Sequence, residues 1–411
     1  MEWRISAVTK YLDRNRYIKV FEAISFLTLL LLIPVPHLAL NYLFSYGAFV
    51  NEILHFIALF LIALILIASL SRSNSSLTFF DVLILCFGLL NLLNSDNLFN
   101  LNETSSVILN SVLCYFTFNW IFEKIGEYIC FKYLTLGILI AVMLQATYFA
   151  LQSLNILLNP NHLFDVGGSF GHPGYTLGVL SLGILMVISN NAFTESDKYL
   201  QIAIIASFVT IMLLSVAMGA RASIVVSGIS LFVLLNRYHP SLERVLRKYK
   251  IAFLILIASI GSALFFLKSD SLQGRYFIWK NSVQLIAQKP LLGFGSNTFT
   301  NTYNTYQIDY FRSRYGSEQE KHLADFVILA YNDFLETGVE LGLPGTILLL
   351  TIFTIYPLYT VLKNGNWESL APFVGIFIFM NTWGILHEQA YGNLVFTFLA
   401  FWKQCRLVKD M

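Results

Sequence analysis

The sequence predicts an all-α protein that crosses a membrane many times. Of its 411 residues, 56% are hydrophobic and 12% are charged, whereas a soluble domain carries about 25% charged residues. Apolar runs of about 20 residues, the length that spans a bilayer as a helix, follow one another along most of the chain. The composition therefore excludes a water-soluble protein, and the small net charge of +2 gives no reason to expect a nucleic-acid partner.

The apolar runs predict about twelve membrane helices in two groups. Residues 1–267 hold helices 1–9, the polar segment 268–342 follows, and residues 343–411 hold helices 10–12 and a short tail. The runs cover residues 20–40, 49–70, 77–94, 105–122, 133–152, 174–190, 199–217, 221–236, 251–267, 343–362, 369–386 and 390–403.

The distribution of basic residues predicts the orientation of these helices. An even number of spans places both termini on one side, and most of the 26 Lys and Arg residues fall in the tails and loops of that side. Because such residues collect on the cytoplasmic side of a membrane, we expect cytoplasmic termini and an external segment 268–342. The external loops 41–48, 95–104, 153–173 and 387–389 contain neither Lys nor Arg, which agrees with this orientation.

The external segment carries its own helical signals. Residues 273–288 show apolar side chains at helical spacing, and residues 289–299 form a turn rich in Gly and Pro. Residues 324–341 are expected to form a helix that Gly342 and Pro344 stop, because glycine and proline end helices. We therefore predict a small helical cap above the membrane.

Two arginines lie next to apolar runs. Arg221 follows Gly219 and Ala220 in the break between two such runs, and Arg275 comes just after the ninth run, among aromatic residues typical of the membrane interface and on the same face of the membrane. A cation at membrane depth costs about 2.5 kcal/mol or more, so Arg221 needs an anionic partner. Both are either interfacial anchors or a clamp on a diphosphate, which a planar guanidinium binds through two parallel hydrogen bonds.

Acidic and amide side chains share a broad face of the expected 324–341 helix. Such a face is either solvated or supplies a general base that removes a proton from an acceptor hydroxyl. The residues on this face are Asp325, Asn332, Asp333, Glu336 and Glu340, with His322 one turn earlier.

The loop at residues 168–175 is the second distinctive external stretch. His172 and Pro173 are typical of a helix start, and a helix N-terminus can also bind a phosphate through its free amide groups. The four cysteines are scattered, and no set of His, Cys, Asp and Glu has the spacing of metal ligands. We therefore expect chemistry without a bound metal or other cofactor.

Four short motifs stand out in the second half of the sequence. They are Gly-Ala-Arg-Ala-Ser at 219–223, Arg-Tyr-Phe-Ile-Trp at 275–279, Lys-Pro-Leu-Leu-Gly-Phe-Gly at 289–295, and Tyr-Asn-Asp-Phe-Leu at 331–335 followed by Glu-Leu-Gly-Leu-Pro-Gly at 340–345. Together they resemble the O-antigen ligase and polymerase family, whose members look like GT-C-type membrane glycosyltransferases. About twelve spans with a large periplasmic segment before the last few also fit that family.

The resemblance implies transfer of a glycan from undecaprenyl diphosphate at the periplasmic face of the bacterial inner membrane, and for the ligases an inverting, metal-independent transfer. Ligases pass the glycan to lipid A–core, and polymerases pass it to another lipid-linked repeat unit. The motifs do not separate these two reactions, and ligation is the leading hypothesis. A transporter of lipid-linked glycans is the alternative from another class.

The resemblance also implies that Arg221 and Arg275 bind the donor diphosphate. From their places in the sequence, His172, Tyr331 and Asn332 are expected to position the substrates. Family members commonly place a histidine at one of two positions where this chain has Leu329 and Tyr331. The base is therefore open among His322, Asp325, Asp333 and Glu336, or the transfer needs no strong base.

Overall fold

The computed structural model describes residues 78–94, 103–125, 127–158, 164–190, 197–238, 269–313, 316–364 and 367–407. Within these ranges the chain is helical and contains no strand, which confirms the predicted all-α class. The α-helices are α1 (Phe79–Leu93), α2 (Glu103–Ile125), α3 (Glu127–Ser153), α4 (Pro173–Ile188), α5 (Lys198–Ala217), α6 (Arg221–Tyr238), α7 (Ser269–Gln288), α8 (Phe299–Arg312), α9 (Glu318–Leu323), α10 (Asp333–Leu350), α11 (Tyr356–Asn364), α12 (Ala371–Met380) and α13 (Gln389–Leu407). A π-helical turn at Thr351–Ile355 and short 3-10 turns at Trp367–Leu370 and Ile385–His387 complete the elements.

Three stretches of helix are long and apolar enough to cross a membrane: Leu134–Ser153, Lys198–Ala217 and Asp333–Lys363. Shorter apolar helices pack beside them. The chain is therefore a multi-pass membrane protein. The predicted helices at 20–40, 49–70 and 251–267 lie outside the described residues, so the number twelve and the orientation stay predictions.

The helix α4 lies at the centre of the bundle. Every one of its residues except Tyr175 is buried, as expected for a helix that is apolar on all sides. At Gly178 the missing side chain leaves room for the hydroxyl of Tyr391 on α13. That hydroxyl donates a hydrogen bond to the backbone oxygen of Tyr175 over 2.9 Å. The glycine thus lets α13 approach the first turns of α4.

A backbone break divides α10 at Gly342. This residue has φ +70° and ψ −169°, a region that glycine alone occupies readily. The expected stop at Gly342 and Pro344 is therefore confirmed, and a second helical stretch continues at once toward α11. The first stretch covers residues 333–341, and the second supplies most of the apolar span.

The Gly/Pro-rich turn after α7 binds to this break. Its amide groups satisfy carbonyls that the end of the first stretch leaves without helical partners. The turn was predicted, but its contact with α10 was not. The bonds run from Phe294 N to Val339 O (2.9 Å), from Gly295 N to Glu340 O (2.9 Å) and from Leu343 N to Pro290 O (2.7 Å).

The expected helix over 324–341 is wrong in its first half. The chain is not helical between Leu323 and Asp333. The reason is that a side chain of α8 forms hydrogen bonds with backbone groups of this segment. Asn304 of α8 donates to Val327 O (2.7 Å) and accepts from Val327 N (3.0 Å). The candidate acids therefore do not share one solvated helical face.

The predicted helix 369–386 is also too long, since α12 ends at Met380. The side chains of Asn381 and Thr382 donate to Phe377 O and Ile378 O, 2.8 and 2.9 Å away. Gly384 then turns the chain at φ +69°. The residues after Met380 consequently form a loop at the end of the bundle where α4 and α6 begin.

Two ion pairs, one partly exposed and one buried, connect helices at the other end of the bundle. Arg237, near the end of α6, donates to Ser189 O at the end of α4 (2.8 Å) and pairs with Glu368 (2.6 Å). Lys403 of α13 pairs with Asp81 of α1 over 2.7 Å. These contacts hold the helices in register far from the loop after α12.

Candidate active site

A cavity of about 460 Å³ opens where the first residues of α4 and α6 meet α7 and the segment before α10. Glycines and apolar side chains form much of its wall, and two arginines, a histidine and a tyrosine supply its titratable groups. The lining residues are Phe164, His172, Pro173, Gly174, Met218, Gly219, Ala220, Arg221, Ala222, Gly274, Arg275, Ile278, Tyr331, Thr382 and Trp383.

The two arginines predicted to act together do line this one cavity. Arg221 is the first residue of α6, after a turn in which Gly219 has φ +63°. Arg275 extends from α7, with its guanidinium carbon 4.9 Å from the ring centre of Tyr331 and 5.8 Å from that of Trp383. Both rings offer their faces to the cation, which such geometry stabilises.

Neither guanidinium forms an ion pair with a carboxylate in the part of the chain that the structure describes. Burial lowers the pKa of Arg275 below its usual range, and the nearby charge of Arg221 lowers it further. Arginine nevertheless stays protonated in proteins. The cavity therefore contains two positive charges whose mutual repulsion an incoming anion would relieve.

Helix starts add to the positive potential. The first N–H groups of a helix have no acceptor within it, and the helix dipole makes that end favourable for anions. The helix α6 starts at the cavity wall with Arg221 and Ala222, and α4 starts there with Pro173 and Gly174. Glycines 219 and 274 leave the wall open, since a Cβ on either would meet no atom within 4 Å.

His172 is the N-cap of α4, as the sequence indicates. Its Nδ1 accepts a hydrogen bond from Gly174 N over 3.0 Å, so a neutral imidazole carries its proton on Nε2. The rings of Phe164 and Trp383 pack at 4.4 and 4.7 Å from the imidazole. His172 is thus suited to donate a hydrogen bond rather than to accept a proton at Nε2.

Tyr331 and Asn332 come directly before α10, and Asn332 is the N-cap of that helix. Tyr331 has φ +54°, an uncommon conformation for a bulky residue and a reason to look for function. The Asn332 side chain accepts from Phe334 N (3.0 Å) and Leu335 N (3.1 Å) and donates to Asn381 (2.9 Å). Asn332 therefore acts as a helix cap that fixes Tyr331 against the cavity.

The acids of α10 are buried and already hydrogen-bonded. Asp333 accepts from Ile385 N (2.9 Å) and Leu386 N (3.3 Å), which ties the loop after α12 to α10. Glu336 accepts from Ala330 N (2.9 Å), and its other oxygen lies 3.1 Å from Nε2 of His387. Neither of these two candidate bases lines the cavity; each holds a segment that does.

The remaining candidate bases are exposed. His322 lies in the last turn of α9, and Asp325 follows in the extended segment, where its carboxylate accepts from Phe326 N over 2.7 Å. Neither lines the cavity. The structure thus brings together Arg221, Arg275, His172 and Tyr331 from the predicted set.

The comparison with known families agrees with the motifs. The family model described as O-antigen ligase matches residues 177–350. This segment belongs to the O-antigen ligase family. A comparison with curated proteins gives no match.

The O-antigen ligase segment contains both arginines, Tyr331 and the whole of α7–α10. The cavity is completed by residues outside that segment, among them His172 before it and Trp383 after it. Trp383 was not singled out from the sequence, because it lay inside a stretch read as helix. An aromatic residue beside Asn381, Thr382 and Gly384 was the available signal for a loop there.

Proposed function

We propose that this protein transfers a glycan from undecaprenyl diphosphate to lipid A–core at the periplasmic face of the bacterial inner membrane. The observation that carries the proposal is the pair Arg221 and Arg275, two cations without a carboxylate partner among the described residues, which line one cavity. The family match supports glycan transfer in general, and ligation is our choice within it.

The donor diphosphate fits the chemistry of this cavity. Two guanidinium groups and two helix starts match a group that carries two phosphates, and Arg binds phosphate oxygens through paired hydrogen bonds. The glycines at 219 and 274 leave space for the phosphates to approach. A transporter is a weaker fit, because transporter sites usually lie near the midplane between repeats, whereas these groups gather at one end of the bundle.

The transfer step depends more on stabilisation of the leaving group than on a strong base. The acceptor oxygen attacks the anomeric carbon, the bond from that carbon to the diphosphate oxygen breaks, and the arginines stabilise the charge on the departing lipid diphosphate. We assign His172 and Tyr331 to positioning the substrates. The acceptor proton leaves late, to the diphosphate or to water, and the proposal gives no role to a metal.

Removal of either arginine tests the proposal. We expect Arg221→Ala and Arg275→Ala to lose at least about a hundredfold in transfer rate, the size of effect seen for a lost charge-stabilising group. Purified protein is incubated with lipid-linked glycan and lipid A–core, and the products are separated by mass. Arg312→Ala is the matched control, because Arg312 lies on α8 with its side chain 78% exposed.

Each outcome of this assay has a meaning. Glycan joined to lipid A–core supports the ligase, and longer lipid-linked glycan without that product supports the polymerase. Glycan uptake into vesicles without any new glycosidic bond contradicts the transferase. Normal transfer rates in both arginine variants would contradict the proposal that these residues bind the diphosphate.

A further inference from the structure

Two adjacent leucines project from the turn after α7. Leu291 and Leu292 are 71% and 70% exposed, although large apolar side chains of a stable turn are usually covered. The turn itself is well fixed, since Gly293 N donates to Lys289 O (3.1 Å) and Leu343 N donates to Pro290 O (2.7 Å). A fixed backbone thus holds two apolar side chains outward.

The leucines lie beside a continuous apolar surface. The second stretch of α10 begins at Leu343, whose amide contacts the turn directly, and that stretch belongs to a span of membrane length. Exposed apolar side chains recur along it at helical spacing, as on a surface that faces lipid. They are Leu343, Ile347, Ile355, Leu358, Tyr359 and Leu362.

We propose that the tip formed by Leu291 and Leu292 inserts into the bilayer that surrounds this span. We place the tip at the boundary between lipid headgroups and acyl chains. The reason is that it continues the apolar surface of α10 at the end where that surface starts. Lys289 stands at the base of the turn, with its ammonium 4.5 Å from the ring centre of Phe294. A lysine and an aromatic ring are typical neighbours of an inserted apolar tip at the headgroup level.

Insertion of this tip has a structural consequence for the cavity. The turn directly follows α7, the helix that carries Arg275. Because the turn after α7 is tied both to α10 and to the bilayer, α7 holds Arg275 at a constant height above the acyl chains. The inference concerns a lipid contact and does not depend on which reaction the cavity catalyses.

A nitroxide label at residue 291 tests the insertion. The full-length chain, with its four cysteines replaced by alanine and its thermal transition matched to the unmodified protein, receives Leu291→Cys and is reconstituted into phosphatidylethanolamine–phosphatidylglycerol vesicles. Accessibility to oxygen, which dissolves in lipid, is compared with accessibility to a water-soluble nickel chelate. Ile347→Cys is the lipid-facing reference, and Ile308→Cys on α8, 52% exposed, is the aqueous reference.

The label at 291 should show a ratio of oxygen to nickel accessibility close to that at 347 and well above that at 308. A ratio equal to that at 308 places the tip in water and overturns the proposal. Low accessibility to both reagents shows that a second copy or another protein covers the leucines, and it overturns the proposal as well.

Discussion

Gly274 is the residue at which the cavity can be filled without removing a charged group. It lies within α7, and a Cβ there meets no atom within 4 Å. Alanine should therefore be tolerated and even stabilise the helix by about 1 kcal/mol. Gly274→Leu should instead fill the space beside Arg275 and lower the transfer rate severely while the protein stays folded.

The control for this substitution is Gly228→Leu. Gly228 lies in α6, a Cβ on it also meets no atom within 4 Å, and it does not line the cavity. Transfer rates and thermal transitions of both variants are measured together. An unchanged rate for Gly274→Leu would show that the donor does not enter this cavity.

Two substitutions of Glu336 distinguish a structural role of this residue from a catalytic one. In Glu336→Gln the remaining carbonyl oxygen can still accept from Ala330 N, and the new amide can donate to His387 when its imidazole is neutral. We therefore expect Glu336→Gln to keep most of the transfer rate. Glu336→Ala should lose it, because Ala330 N is then buried without an acceptor, at a cost of about 1–3 kcal/mol.

The measurement pairs transfer rate with hydrogen exchange of residues 329–332. A scaffold role predicts that rate and exchange protection fall together in Glu336→Ala and hold together in Glu336→Gln. If Glu336→Gln is inactive while its exchange and thermal transition match the unmodified protein, Glu336 is the base.

At the scale of elements, the break in α10 decides how the turn after α7 binds. At Gly342 a Cβ would lie 2.7 Å from Pro290 O and 2.8 Å from Leu291 O, on top of an unfavourable φ of +70°. We expect Gly342→Ala to lower the free energy of unfolding by about 2 kcal/mol or more. Thermal unfolding measures the loss, and hydrogen exchange should localise it to residues 289–295; Gly274→Ala, with open space around its Cβ, should show neither effect.

Glycine and proline made these elements partly predictable. They marked the turn after α7 and the stop at Gly342 correctly, because both residues act through the local backbone. The segment 324–332 was misread because its apolar and polar residues satisfy helical spacing. Asn304, more than twenty residues before Val327, prevents the helix by hydrogen bonding to the Val327 backbone. No local pattern shows which distant side chain will bind a backbone group in this way.

At the scale of the whole molecule, the sequence predicted the two arginines, His172 and Tyr331 of the cavity lining, but not the rest of its wall. Arg221 stood out because a cation near a membrane needs an anion, and Arg275 because it is expected on the same face of the membrane; neither argument requires knowledge of packing. The acids of α10 were candidates because a shared helical face can supply a general base, yet tertiary packing pairs Asp333 and Glu336 with backbone amides. Trp383 and Gly274 shape the cavity through position alone, which composition and spacing do not reveal.

The ion pair at the opposite end of the bundle should affect stability without affecting catalysis. Lys403 lies 2.7 Å from both carboxylate oxygens of Asp81, and Tyr115 donates to one of them over 2.7 Å. Removing one partner leaves a buried charge, so Lys403→Met should cost about 3–5 kcal/mol. Lys403→Met combined with Asp81→Asn should cost less than the sum of the single changes, because neither charge remains.

Denaturant unfolding in detergent measures this coupling, with Lys321→Met, a change at an exposed lysine, as the control. The transfer rate per folded molecule should not change. Additive losses would mean that water, rather than its partner, stabilises each charge.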